Sequence, residues 1–311
     1  MANYSFLKEA KAYIVYGTTK LQLDMSSISF SQTFTEETHT VRTLHNQNNV
    51  FEGSVINKAN PANFEITVNL LLEDDLEILF NRLIDVNSFD LYVSTADDVF
   101  KLETCVITNG TINIERLRPL SLSISGQASK LIPGSSVPSG MTLRTASSSR
   151  TYNLHSDLFV SLSGTTITDH LVSLSIELQN DIQWIPYKTV NTAAGTRYPT
   201  QYTVNGKVLA GNITRYLNDD TESNSQSYGT NQSLRIKAGT NIGGLFKGID
   251  FNSNNCSLTQ RIQTGTVFMK NTDWRMVQNP SPVSGVLTYF TKKKGKMMDL
   301  KKLMVDTKAV W

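Results

Sequence analysis

Four histidines and two cysteines are the residues of this 311-residue chain best suited to metal or nucleophile chemistry. His39 and His45 lie six apart beside Glu36 and Glu37, and the two-residue period of a strand would put both rings on one face. A third well-spaced ligand is missing, so a solvated or interface histidine is the better reading than a metal site. His155 and His170 flank a strand pattern without an acidic partner at a telling distance. Cys105 and Cys256 form no CxxC pair; each reads as a small buried apolar residue, with a disulfide between them as the minor alternative. Gly239 to Gly244, GTNIGG, lacks the Lys-Ser/Thr of a phosphate loop and reads as a β-turn. Neither GxSxG nor HExxH occurs. The residues therefore imply no catalytic centre, metal or cofactor. The enzyme reading left open is a carbohydrate-active β-sandwich with Trp184, Tyr187, Tyr198 and Tyr202 as a sugar platform, which would also need a pair of carboxylates.

Composition narrows the classes further. Charged residues make up only 18% of the chain and the net charge is +2, too near zero to argue for nucleic-acid binding from bulk electrostatics. A surface short of charge fits one that partners cover. Abundant Ser, Thr and Asn favour strands and turns. The opening MANYSFLKEAKAYIVYG lacks the basic start and apolar block of a signal peptide, and no apolar run approaches a membrane span, so the expectation is a soluble chain made in a reducing cytoplasm.

The pattern predicts a mainly β fold. AYIVYG, a Gly-Thr-Thr turn and KLQLDMSSISFSQTF read as a strand and a long strand with a register slip near Ser26 and Ser27, which suits a β-bulge. TEETHTVRTLHNQNNVFEGSVIN then predicts a projecting hairpin with its apex at His45, Asn46, Gln47, Asn48 and Asn49. ANFEITVNLLL alternates as a half-buried strand. Leu76, Leu79, Phe80, Leu83 and Ile84 follow at helical spacing, predicting one packed helix over about 73–85 with acids in its first turn. FDLYVST, VFKLETCVIT and TINIERLRPLSLSISGQASKLI complete this half, divided by Asp-Asp and Asn-Gly turns.

The chain then repeats itself. FKLETCVITNGTINIER from Phe100 and FKGIDFNSNNCSLTQR from Phe246 share a Phe-Lys opening, one cysteine beside an Asn-rich turn, and a closing arginine. LVSLSIELQNDIQWIP can be laid on LDMSSISFSQTFTEET, and YTVNGKVLAGNITRYL on residues 51–71. Where the first half has its helix, the second has the polar NDDTESNSQSYGTNQ. These features predict two tandem β-sandwich or barrel domains, 1–132 and 151–290, joined by a Pro-, Gly- and Ser-rich linker over 133–150. Residues 291–311 are a basic arm carrying Met298, Leu300, Leu303 and Trp311. Beside a solvated tail, those apolar residues suggest docking on a neighbouring subunit.

Two β-rich halves, each with a long alternating strand entering a polar hairpin, resemble the tail tube proteins of tailed bacteriophages. The resemblance is carried by SISFSQTFTEETHTVRTLHNQNNVFEGSVINKANPANFEITVNLL, the helix EDDLEILFNRLI and the closing PLSLSISGQASKLIPG. It implies the two-domain type, in which a trimer closes a pseudo-hexameric ring. Implied with it are a non-enzymatic virion protein assembled in the host bacterial cytoplasm, rings stacked into a conduit for DNA passage, and partners among tape measure, tail terminator and baseplate proteins. DNA would pass without specific binding, and no membrane is involved. A baseplate or distal-tail adaptor ring is the alternative. The long loop, with His39, Arg42, His45, Asn46, Gln47, Asn48 and Asn49, would reach neighbouring subunits or rings. Bore-facing strands are expected at 26–34 and 51–57, and at 171–183 and 201–209, with an acidic or neutral polar lining.

Overall fold

The computed structural model describes residues 10–41, 51–70, 77–115, 118–139, 142–144, 153–185, 198–217, 228–277 and 286–290. The first half runs β1 (Lys11–Tyr16), β2 (Thr19–Leu23), β3 (Met25–Ser31), β4 (Phe34–Val41), β5 (Phe51–Ala59), β6 (Ala62–Asn69), α1 (Glu77–Asp85), β7 (Phe89–Ser94), β8 (Val99–Glu115), β9 (Ser121–Ala128) and β10 (Lys130–Ile132). After β11 (Thr142–Arg144) come β12 (Asp157–Leu162), β13 (Thr165–Thr166), a 3-10 turn at Thr168–His170, β14 (Leu171–Trp184), β15 (Tyr202–Tyr216), β16 (Tyr228–Ile242), β17 (Leu245–Gln263), β18 (Met269–Met276) and β19 (Leu287–Phe290). The fold is mainly β, with α1 its one α-helix among the described residues.

Apart from the short parallel β2–β11 contact, the antiparallel ladder of the first half returns in the second. β2 pairs β1, β1 pairs β7, β7 pairs β8, β8 pairs β9 and β10, β9 pairs β6, and β6 pairs β3. In the same sense β13 pairs β12, β12 pairs β16, β16 pairs β17, β17 pairs β18 and β19, β18 pairs β15, and β15 pairs β14. Even the irregularities recur: bulges fall between Met25 and Ser27 and between Thr35 and Glu36, then between Leu171 and Ser173 and between Asp181 and Ile182. These bulges set Leu171 on Met25, two residues from the sequence-based overlay on Leu23. The slip at Ser26 and Ser27 is the first of them.

The projecting hairpin is the ribbon β4–β5, a two-stranded sheet of its own. β3 with β4, and β5 with β6, are each one strand broken at a bend, where Asn60 donates through its backbone to the Thr33 carbonyl (2.9 Å). Bulges and a proline at position 61 make that break. Hence 51–57 lies in the ribbon, and β6 takes its place beside β3.

Of two expected turns, one forms and one does not. GTNIGG is a tight hairpin turn between β16 and β17, with Gly243 (φ 57°) and Gly244 (φ 80°) in the left-handed region. Asn109-Gly110, by contrast, lies inside β8. The two cysteine segments are thus long single strands, not strand-turn-strand units, and both thiols are free and buried.

One apolar core runs through both halves. On α1, Leu79 and Leu83, and Phe80 and Ile84, share the faces that four-residue spacing gives them, and all are buried. The 133–150 stretch is folded in part: β11 lies parallel to β2, and the Lys20 ammonium donates to the Pro138 carbonyl (3.1 Å).

Candidate assembly interface

The halves meet edge to edge. β14 pairs antiparallel with β8 from Ser173↔Glu115 to Gln179↔Asn109, placing buried Ile176 opposite buried Ile112. The result is one unbroken ladder, β3-β6-β9-β8-β14-β15-β18-β17. Its two sets of four strands have the same order.

Around this seam the second half caps the helix of the first. The last carbonyls of a helix have no partner within it. Asn180 Nδ2 donates to the Leu83 and Ile107 carbonyls (3.0 Å each), Lys207 Nζ to Ile84 (2.6 Å) and the Tyr202 hydroxyl to Val86 (3.2 Å). Val86 holds the left-handed conformation (φ 57°) in which helices commonly end, although a β-branched residue resists it. Trp184 donates through Nε1 to Gln127 Oε1 (3.0 Å) and its ring lies 5.5 Å from that of Tyr202. Lys130 sits over Tyr198 at 4.7 Å. Three of the aromatics considered for a sugar platform therefore belong to the seam, and Tyr187 lies outside the described residues.

The counterpart edges are β3 and the end of β17, where β16 pairs as far as Thr259 and leaves Arg261–Gln263 beyond it. β3 is the match of β14, yet among the described residues it pairs only with β6. Ser27, Ser29 and Ser31 on it are exposed, whereas Ser173, Ser175 and Glu177 at the matching rungs of β14 are half-buried. Phe30 and Ile262 are half-buried where their counterparts Ile176 and Ile112 are buried. Phe34, at the position of the capping Asn180, is 48% exposed. An apolar side chain and a bare strand edge together are what a β-sheet protein must cover.

One face of the ladder is polar across its first five strands, and on β15 it also carries the half-buried Ala210 and Val208 beside Asn212 and Thr214. Ser27, Ser29, Glu65, Thr67, Asn109, Thr111, Ser123 and Ser125 line a shallow groove across the first four strands. Alternation carries the same face onto Ser175, Glu177, Gln179, Asn212, Thr214, Asp273 and Arg261. Its acids are Glu65, Glu115, Glu177 and Asp273, against Arg261 and Arg275; Arg261 is paired to Asp273 (2.6 Å) and Glu115 to Arg118 (3.1 Å).

Of the residues expected to reach neighbours, the His39 backbone lies in β4 opposite Gly53. Arg42, His45, Asn46, Gln47, Asn48 and Asn49 lie outside the described residues, as do Met298, Leu300, Leu303 and Trp311. Among the described residues no group of three or more His, Cys, Asp or Glu could hold a metal ion, and no helix is long and apolar enough to cross a membrane. Burial pushes the Cys105 and Cys256 thiols up and holds the His155 imidazole below the ordinary histidine range. Sequence reasoning missed Phe30, Ile262, Phe34 and Asn180, because period-two alternation gives the face of a strand and not its neighbour.

A model of the Bacteriophage Baseplate Tube Protein Family matches residues 2–84 and 73–294. The chain belongs to that family. No individually curated protein matches it at a significant level. A baseplate tube protein is a structural phage protein, and the seam, open edges and polar face are the features a structural role has to explain.

Proposed function

We propose that three copies of the chain close head to tail into a ring of six similar lobes, and that such rings stack into the tail tube through which DNA passes. The single observation that carries this reading is the β8–β14 seam, an edge-to-edge joint whose matching edges on the same chain are β3 and the Arg261–Gln263 end of β17, beyond the last rung with β16 at Thr259. Heterologous edges of this kind generate closed rings when the rotation permits. Transferring the seam's register puts Phe30 of one copy opposite Ile262 of the next, and Ser31 opposite Arg261. Ring order follows the two-domain tube proteins that the chain resembles, with 1–132 and 151–290 as the two domains.

The polar face of the ladder becomes the bore. Its hydroxyls and amides, interrupted on β15 by Ala210 and Val208, offer little apolar grip, and its carboxylates, more numerous than its arginines, repel phosphate, so DNA slides without a binding site. Partners are other tail and baseplate proteins at the ends of the tube, and the protein resides in the virion tail. The family's baseplate description favours a second reading as well, a distal-tail adaptor that stops at one ring.

Negative-stain electron microscopy of the purified chain separates these outcomes. Six-lobed rings that stack support the tube, isolated six-lobed rings support the adaptor, and a discrete monomer at micromolar concentration sinks both.

A further inference from the structure

Leu70 and Leu120 form a small junction at the end of the ladder, and Leu217 and Phe268 form the same junction with a member missing. The Leu70 amide donates to the Leu120 carbonyl (2.9 Å), and the Leu217 amide donates to the Phe268 carbonyl (3.0 Å), at matching points of β6/β9 and β15/β18. In the first half the remaining two groups are filled by Asn153. Its amide donates to the Leu70 carbonyl (3.1 Å), and its carbonyl accepts from the Leu120 amide (2.8 Å). The Asn153 side chain is pinned from beyond, donating to the Lys247 carbonyl (3.0 Å) and accepting from the Thr240 hydroxyl (2.9 Å) and the His155 amide (3.1 Å). Under this strap Leu70 and Leu120 are 1% and 0% exposed.

Nothing among the described residues fills the second site. The Leu217 carbonyl and Phe268 amide have no partner there, and Tyr216, Val267 and Phe268 stand 48%, 52% and 55% exposed. Asn153 precedes β12, whose counterpart is β1. The hairpin rungs Leu162↔Thr165 and Tyr16↔Thr19 match, so the offset is 162 − 16 = 146, and 153 − 146 leads to Leu7 in the stretch NYSFLKEA.

Resting on the ring reading above, we propose that residues Tyr4 to Leu7 of a second copy strap the Tyr216, Val267 and Phe268 patch as Asn153 straps Leu70 and Leu120. The occupant is another copy because Asn153 straps the half preceding its own, and the half that precedes residues 1–132 in a head-to-tail ring belongs to the neighbour. The stretch has the right chemistry. Tyr4, Phe6 and Leu7 supply apolar cover, and each non-proline residue carries the amide and carbonyl that the open rung needs.

The test uses the full-length chain carrying Leu7→Cys with Phe268→Cys, oxidised with copper phenanthroline and run on a non-reducing gel. A second double variant, Ser31→Cys with Arg261→Cys, reports the ring seam independently. Interchain dimers and closed trimers from both pairs are the expected result. Seam cross-links without 7–268 cross-links, or a 7–268 bond within one chain, overturn the strap and leave the ring standing. Neither cross-link, with the protein sedimenting as a monomer, overturns both. As a check free of cysteine chemistry, Phe268→Ser lowers the trimer fraction at fixed concentration by about tenfold without changing the monomer's melting, as loss of an apolar anchor should. An unchanged trimer fraction overturns the proposal.

Discussion

Phe64 faces Gly126 across β6 and β9, and the same rung of the second half sets Gly211 opposite Trp274, with the large and the small residue exchanged between strands. A Cβ on Gly126 would collide with the Phe64 ring and the Val106 carbonyl; one on Gly211 would collide with the Ser175 carbonyl and the Trp274 indole. Each half thus fills one volume with one aromatic, drawn from opposite strands. Trp274 also packs on Phe251 (ring centres 4.7 Å apart), and Phe64 meets Phe89 edge-on at 6.2 Å.

Overpacking this rung should destabilise either half. Gly126→Ala and Gly211→Ala are each expected to cost about 1–3 kcal/mol, since backbone carbonyls as well as rings stand in the way. Trp274→Ala empties the site and is expected to cost about 3–5 kcal/mol. Urea unfolding of the purified chain measures both. A neutral Gly211→Ala would mean that the ladder can spread there.

Asn180→Leu isolates the role of the seam cap. The change keeps the volume roughly, but it leaves the Leu83 and Ile107 carbonyls buried without a donor, at a cost of about 1–3 kcal/mol. Tyr202→Phe removes only the bond to the Val86 carbonyl and should cost about 0.5–1.5 kcal/mol. Thermal melting ranks the two variants, and Asn180→Leu must be the worse.

How far these features could be read beforehand depended on the kind of signal. The helix was legible because Leu79, Phe80, Leu83 and Ile84 fix a period, and the bulge at Ser26 and Ser27 was legible because alternation fails there. Asn109-Gly110 was misread as a hairpin turn for a physical reason. Gly110 is a glycine because Leu83 of α1 presses on β8 where a Cβ would stand, a tertiary demand that resembles a turn signal in one dimension. Pairing partners were the least legible. Residues 51–57 and 62–69 both read as extended, and the bend at Asn60 and Pro61 assigns one to the ribbon and the other to the ladder. The seam could have been suspected from the repeated Gly-Thr-Thr at 17–19 and 164–166, which marks the same hairpin region in each half.

The open edge yields a separation of folding from assembly. Ile262 is half-buried at the end of β17, so Ile262→Lys should leave the chain's own melting nearly unchanged, within about 0.5 kcal/mol of unfolding free energy. The same lysine would lie at the chain-to-chain seam opposite Phe30, and edge charge opposes strand pairing. Analytical ultracentrifugation should therefore find a folded monomer. Rings formed by this variant at the wild-type concentration would count against the proposed register.

Both thiols should resist modification. Burial raises Cys105 well above the usual thiol range and also raises Cys256, so little thiolate exists at pH 8, and neither sulfur is accessible. An aromatic disulfide reagent is expected to titrate both cysteines only after denaturation. Rapid release from the native protein would show that β8 or β17 opens locally.

Acid should act through His155. Its imidazole is held below the ordinary histidine pKa by burial, and its Nδ1 is buried without a hydrogen bond in the described structure. The unfolded chain therefore binds this proton more readily than the folded one. The linked stability is complete above the unfolded pKa, about 6.5, and is lost as pH falls through that value toward the lower folded pKa. His155 also adopts a left-handed backbone (φ 47°), a conformation that asparagine tolerates better than most residues. His155→Asn should accordingly fold normally at pH 7 and show a smaller drop in melting temperature between pH 7 and pH 5 than the wild type. Because the His155 amide donates to Asn153 Oδ1, protonation is expected to loosen that strap first, with faster amide exchange at Leu120 as the local sign. Equal acid sensitivity in the two proteins would move the cause to carboxylates elsewhere.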